Sequence, residues 1–164
     1  SDNEKVEIVE KILKYSKVFI SSELSLPKEL TKYKYPLPPE TIHDAISFAS
    51  LVFGESSTMS SEAAILGTPF VFLYPKSIDY TDSFENDYHL GFNFTGKDYN
   101  TDSALSKACE ILEEKSKTLY TERANKFISE SIDVTALLFW LITNYPQSIN
   151  RLKTDPKVFD QFYN

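Results

Sequence analysis

Apolar and polar residues recur along this chain with two different periods, and the switches between them mark out its elements. Near residues 3–15, Val6, Val9, Ile12 and Leu13 return at helical spacing, which predicts an amphipathic helix capped by Ser1, Asp2 or Asn3. Residues 18–22 (Val-Phe-Ile-Ser-Ser) form a short apolar run with strand character. A short helix opened by Pro27 is expected over 26–33, and a short edge strand over 33–37, ended by Pro36-Leu37-Pro38-Pro39. Pro39 stands where the next helix begins, and Ile42, Ala45, Ile46 and Ala49 line one face of it.

From there the period alternates between strand and helix. Residues 51–54 predict a strand, residues 58–66 a helix with Gly67 as its C-terminal cap, and residues 70–74 (Phe-Val-Phe-Leu-Tyr) a second strand. A polar stretch runs from Pro75 to Asp87, followed by a last strand at 91–94. A helix over 102–115 carries Ala104, Leu105, Ala108, Ile111 and Leu112 on one side, and further helices are expected near 118–130, 133–144 and 155–162. The helix from Asp133 is apolar nearly all round, so burial on several sides is expected for it. Strands alternating with helices predict an α/β fold: a Rossmann-like, mainly parallel sheet of at least four strands, with helices on both faces. Phe19, Val52 and Val71 are expected on its central strands. Nothing marks a linker or a repeat, so residues 1–164 read as a single domain, expected to be truncated at its N-terminus because the sequence opens on Ser1.

Composition narrows the partners. A net charge of -7 leaves no basic face for nucleic acid. The single cysteine, Cys109, cannot form an intrachain disulfide and lies on the apolar stripe of a helix, as a buried, inert thiol would. The longest apolar run, Val134 to Ile142, is far short of the ~18 residues a bilayer span needs. With no signal peptide visible, a cytoplasmic location is expected.

Candidate chemistry concentrates between Gly54 and Pro69, where a strand, a turn of small residues and a helix start follow in immediate succession. Ligands of open parallel sheets bind at the carboxyl ends of strands, where such turns lie. Free N–H groups at a helix start suit a diphosphate, Ser56, Ser57 and Thr58 add hydroxyls, and Glu62, one turn further on, suits a sugar diol. The same residues also make an ordinary cap and an ordinary first-turn acid. His43, beside Asp44 at a helix start, is a candidate donor or general base, or a histidine bonded to backbone. Gly54-x-Ser56-x-Thr58 approaches a nucleophile elbow, but Thr58 replaces the second glycine and no oxyanion-hole glycines accompany it. Two histidines and one cysteine at unrelated positions do not assemble a zinc site, and Asp79, Asp82, Glu85 and Asp87 read as a solvated acidic loop, so no metal is assigned. Tyr74, Tyr80, Phe84 and Tyr88 suit core and rim packing better than base stacking. No Gly-x-Gly-x-x-Gly or Walker motif points to NAD or ATP, and no cofactor is expected.

The run Gly-Glu-Ser-Ser-Thr-Met-Ser-Ser-Glu-Ala-Ala-Ile-Leu-Gly-Thr-Pro from Gly54 resembles the signature of the C-terminal domain of GT-B glycosyltransferases. It is similar above all to the predicted glycosyltransferases of domain-of-unknown-function family 354, and more remotely to UDP-N-acetylglucosamine 2-epimerases and the N-acetylglucosaminyltransferase of peptidoglycan synthesis. The resemblance extends to residues 18–23 with Leu26-Pro27, to Ile42-His43-Asp44, to residues 84–88 with Leu90-Gly91, and to residues 144–148. It implies the C-terminal, donor-binding half of a two-domain enzyme that uses a nucleotide sugar, UDP-linked by the same resemblance, and is inactive without an N-terminal half. A sugar-nucleotide 2-epimerase and a non-catalytic nucleotide-binding or assembly protein are the alternatives. Carried over by residue, Ser56, Ser57 and Thr58 would hold the diphosphate and Glu62 the ribose. The turn from Pro38 to His43 would face the base, and Glu85 with Asn86 would approach the ribose or sugar. The epimerases have paired glycines where this chain has Ser57-Thr58, and the family pattern starts with a strand upstream of the first helix. The strand at 18–22 is therefore expected either to pair directly with that at 51–54 or to leave a gap for another chain.

Overall fold

The computed structural model describes residues 2–76 and 78–163, with Asp79 described by its backbone alone. Ser1, one of the three caps considered for the first helix, and the side chain of Asp79 lie outside the described residues. Three strands, β1 (Val52–Gly54), β2 (Phe70–Tyr74) and β3 (Gly91–Thr95), form one parallel sheet in the order β1-β2-β3. Helix α3 (Ser57–Ile65) connects β1 to β2, and α4 (Asp82–Asn86), preceded by a 3-10 turn at Asp79–Thr81, connects β2 to β3. Helices α1 (Asp2–Ile12) and α2 (Ile42–Phe48) precede the sheet, and α5 (Thr101–Glu114), α6 (Lys117–Ser129), α7 (Val134–Thr143) and α8 (Gln147–Thr154) follow it.

β2 is the strand with neighbours on both sides, and its sequence shows why. A run without a polar break suits a strand covered on both faces, and Phe70, Val71 and Phe72 are wholly buried. Alternation sends Phe70 and Phe72 toward Ile46 of α2, Ala63 and Ala64 of α3, Phe84 of α4 and Ala124 of α6. Val71 and Leu73 face Ala104, Ala108 and Ile111 of α5. The register sets Phe70 against Gly91. Any Cβ at residue 91 would come within 2.3 Å of the Phe70 ring, so glycine there is required by packing. Gly67 takes the left-handed conformation (φ 70°) and closes α3 as expected. Its N–H donates to Ala64 and that of Thr68 to Ala63, the paired bonds of a Schellman cap.

The α/β class, the parallel sheet and its cover on both faces match the sequence reading, and several elements depart from it, among them 33–37, a single bridge in place of an edge strand. The sheet has three strands among the described residues. Residues 18–22 form no strand of it, and Val52 lies on the edge strand β1. Ile20 makes a single parallel bridge to Lys34: its N–H donates to Tyr33 and its C=O accepts from Tyr35. Both backbone groups of Ile20 thus pair with the 33–35 segment, and Phe19 is left 64% exposed. The expected helices at 26–33 and 155–162 are 3-10 segments, Lys28–Tyr33 and Pro156–Phe162. Finally, α7 buries none of its residues fully; Phe139 is 70% and Ile142 76% exposed. It packs on α8 and on the 3-10 segment at Pro156–Phe162, through contacts such as Trp140 against Phe162, so only its inner side is covered.

Candidate functional site

The turn after β1 is built by its own serines. Ser56 is extended (φ -95°, ψ 108°) and caps α3, its Oγ accepting from the Met59 N–H at 3.3 Å. Its carbonyl accepts from both the N–H and the Oγ of Ser60, each at 3.0 Å. Ser56 is therefore occupied as a cap, while Ser57 and Thr58 form the first turn of α3 at the carboxyl end of β1, with Thr58 exposed. Tyr80, arriving from the segment after β2, donates its hydroxyl to Ser57 Oγ.

Glu62, one turn along α3, meets His43 in the first turn of α2, with Glu62 Oε2 at 3.5 Å from His43 Nε2. Glu62 is two-thirds covered and His43 largely exposed, so the pair sits at the rim of the sheet rather than in the core. Packing of α2 on α3 through Ile46, Ala63 and Ala64 brings them together. Thr58 lies one turn before Glu62 on the same face of α3, whereas Ser57 is bonded to Tyr80. Between residues 42 and 70 the chain has no Lys or Arg. An anion here would be held by N–H groups and hydroxyls, against Glu55 and Glu62. Lys76 and Lys97, both exposed, follow β2 and β3, so cationic side chains at this end of the sheet come from the neighbouring loops.

Glu85 and Asn86 are placed differently. Glu85 Oε2 accepts from the backbone N–H of Asn93 at 3.0 Å and from its Nδ2 at 2.9 Å, which binds α4 to β3. Asn93 Nδ2 also donates to the Thr81 carbonyl at 3.1 Å, and Asn93 Oδ1 is buried without a partner among the described residues. Asn86 is the exposed last residue of α4, where the chain turns back toward the start of β3. Asn93 had escaped the sequence reading, though a lone amide between Phe92 and Phe94 was a visible signal. Of the aromatics, Phe84 and Tyr88 pack edge-on around Phe127, and Tyr74 stacks on Phe72. A hydrogen bond to Glu130, with burial, pushes the Tyr88 hydroxyl above its ordinary pKa.

The hydrolase arrangement is not assembled, because His89 precedes β3 and so lies at the end of the parallel sheet opposite Ser56. Among the described residues, no group of three or more His, Cys, Asp or Glu is placed to hold a metal ion. Cys109, expected to be buried, is only partly covered; desolvation, followed by the nearby Glu113, raises its thiol above the usual pKa. No helix among them is long and apolar enough to cross a membrane. Two cavities lie away from this site. One of about 240 Å³ sits near Tyr15, Pro69 and Lys117, where Lys117 donates to the Ser47 and Ala49 carbonyls at the end of α2. One of about 530 Å³ is lined by Phe127, Ile132, Val134, Phe159 and Tyr163 among others. No protein-family model, curated protein or solved structure matches the chain.

Proposed function

We propose that this chain is the donor-binding half of a nucleotide-sugar-dependent glycosyltransferase, its sheet part of a Rossmann-like GT-B C-terminal half that works with an N-terminal half bringing the acceptor. One observation carries the reading: the start of α3, at the carboxyl end of β1, lies beside a carboxylate and an imidazole supplied by two packed helices. In this reading the N–H groups and hydroxyls of Ser57 and Thr58 take the diphosphate, with Ser56 shaping the turn. Glu62 accepts from the ribose hydroxyls, and His43 orients Glu62 or donates to the base or sugar. Glu85, committed to Asn93, fixes α4 on β3 in this reading, while the exposed Asn86 is left to approach the ribose or sugar.

A second reading, a non-catalytic protein that kept the fold, is favoured by one contact: the Tyr80 hydroxyl already occupies Ser57, where a diphosphate oxygen would sit. Calorimetric titration of UDP into the protein separates the two. Under the first reading wild type binds, and Glu62→Ala weakens binding by roughly ten- to hundred-fold, the ~1.5–3 kcal/mol of a charged hydrogen bond. The remote control Ser129→Ala leaves binding unchanged. Equal affinity in Glu62→Ala removes Glu62 from the site, and absence of binding by wild type puts the second reading in place of the first.

A further inference from the structure

The outer face of α7 is the most conspicuous surface of the molecule. Val134, Leu138, Phe139, Ile142 and Tyr145 are 56, 52, 70, 76 and 72% exposed. Val134, Leu138 and Ile142 follow one another at spacings of four and form a single stripe along α7, with Phe139 beside it and Tyr145 in the turn that follows the helix. With aromatic side chains of roughly 150–250 Å² and aliphatic ones somewhat smaller, the five expose about 600 Å². That is the upper limit for a patch on an ordinary monomer. At its N-terminal end the stripe runs into the cavity of about 530 Å³, which Val134 also lines.

We infer that this stripe is the interface of a symmetric dimer, in which α7 packs antiparallel on α7 of a second copy with the two-fold axis at Leu138. Three features select a second copy. An isologous interface needs a self-complementary surface, and this helix provides one. With Leu138 on the axis, Ile142 meets the mate's Val134, and Tyr145 reaches the mate's apolar groove between Phe127, Ile132, Phe159 and Tyr163. The area fits as well: about 600 Å² from each copy, doubled, reaches the ~1,200 Å² at which specific interfaces begin, before the filling of two grooves is counted. Charge is the third. α7 contains no ionisable residue on a protein of net charge -7, so two copies approach here without the repulsion met elsewhere. The absence of Lys and Arg on α7 likewise disfavours a lipid surface, which amphipathic helices engage through basic flanks.

The test is sedimentation of the 164-residue protein from about 5 to 100 μM, a range that resolves micromolar dimers. Twice the 18.8 kDa chain mass is expected. Ile142→Glu and Phe139→Glu, at exposed positions, are expected to weaken association more than ~100-fold with unchanged circular dichroism. In a Cys109→Ser background, Leu138→Cys is expected to form a disulfide-linked dimer under mild oxidation, since Cβ atoms on the axis come within bonding range, and Ser103→Cys on α5 is not. A monomer throughout the range overturns the inference. So does a dimer indifferent to both glutamates, or cross-linking as efficient from Ser103→Cys. A monomer that co-sediments with neutral phosphatidylcholine vesicles through α7 assigns the face to lipid instead.

Discussion

β2 and α7 are the two densest apolar segments of the chain, and they end in opposite surroundings. β2 is five residues long, with a sheet neighbour on each side and helices on each face, and four of its five side chains are buried. α7 is ten residues long, with cover on one side, and none of its side chains is fully buried. Hydrophobicity alone does not predict burial; the number of elements free to pack on a segment does. A strand in a three-layer sheet finds four neighbours by topology, whereas a helix in a terminal hairpin finds only those its own loops return to it.

This contrast can be tested by substitution. Phe72→Ala empties the centre of the layer between sheet and α3, and should cost about 3–5 kcal/mol in chemical denaturation. Gly91→Ala drives a methyl into the Phe70 ring and is expected to cost about 3 kcal/mol, the upper range for overpacking. A cost below about 1 kcal/mol would show that Phe70 moves aside and that β2 is less tightly held than its burial implies. Glu85→Ala strips Asn93 of its carboxylate partner; about 1.5–3 kcal/mol should be lost, with no change in any nucleotide binding. Loss of ligand affinity at unchanged stability would return Glu85 to the site. In α7, Phe139→Ala and Ile142→Ala should change monomer stability by no more than ~0.5 kcal/mol, so that α7 substitutions register in mass and β2 substitutions in stability.

A smaller effect concerns α6, which joins the two regions. Burial raises the Tyr120 hydroxyl above its ordinary value of 10.0. The unfolded chain then releases this proton at lower pH than the folded one. The associated stability is complete below pH 10.0 and is lost as pH rises from there through the higher folded pKa. Thermal midpoints should fall between about pH 9.5 and 11.5, and less steeply in Tyr120→Phe. Equal slopes would mean that Tyr120 meets water in the folded state.

Elements with strong local signals were legible in the sequence. The uninterrupted run at 70–74, the stripe of Ala104, Leu105, Ala108 and Ile111, and Gly67 as a left-handed cap each state their structure without reference to the rest of the chain. What failed depended on partners. Residues 18–22 look like a strand, and only the structure shows that Ile20 pairs with Tyr33 and Tyr35 in a single bridge outside the sheet. α8 was missed because Ile149 and Leu152 are its only large aliphatic residues, too few to set a period. At the candidate site, the turn and the positions of Ser56 to Thr58 followed from residue type. The approach of His43 to Glu62 and of Tyr80 to Ser57 are tertiary contacts, which no spacing rule encodes.

Strand order in this sheet is the same as chain order, and this bears on how the protein comes off the ribosome. Each strand pairs with one only about twenty residues away, so the loops closed are short for a parallel sheet and each βα step can dock as it emerges. The sheet can be complete once β3 has been made; α2, α3 and α4 already line one face by then, and α5 follows to cover the other. α7 is synthesised after all of these elements, once the two faces of the sheet are covered. The outer face of α7 thus emerges when α1 to α6 offer it no place, and nascent chains on neighbouring ribosomes are among the surfaces it can meet.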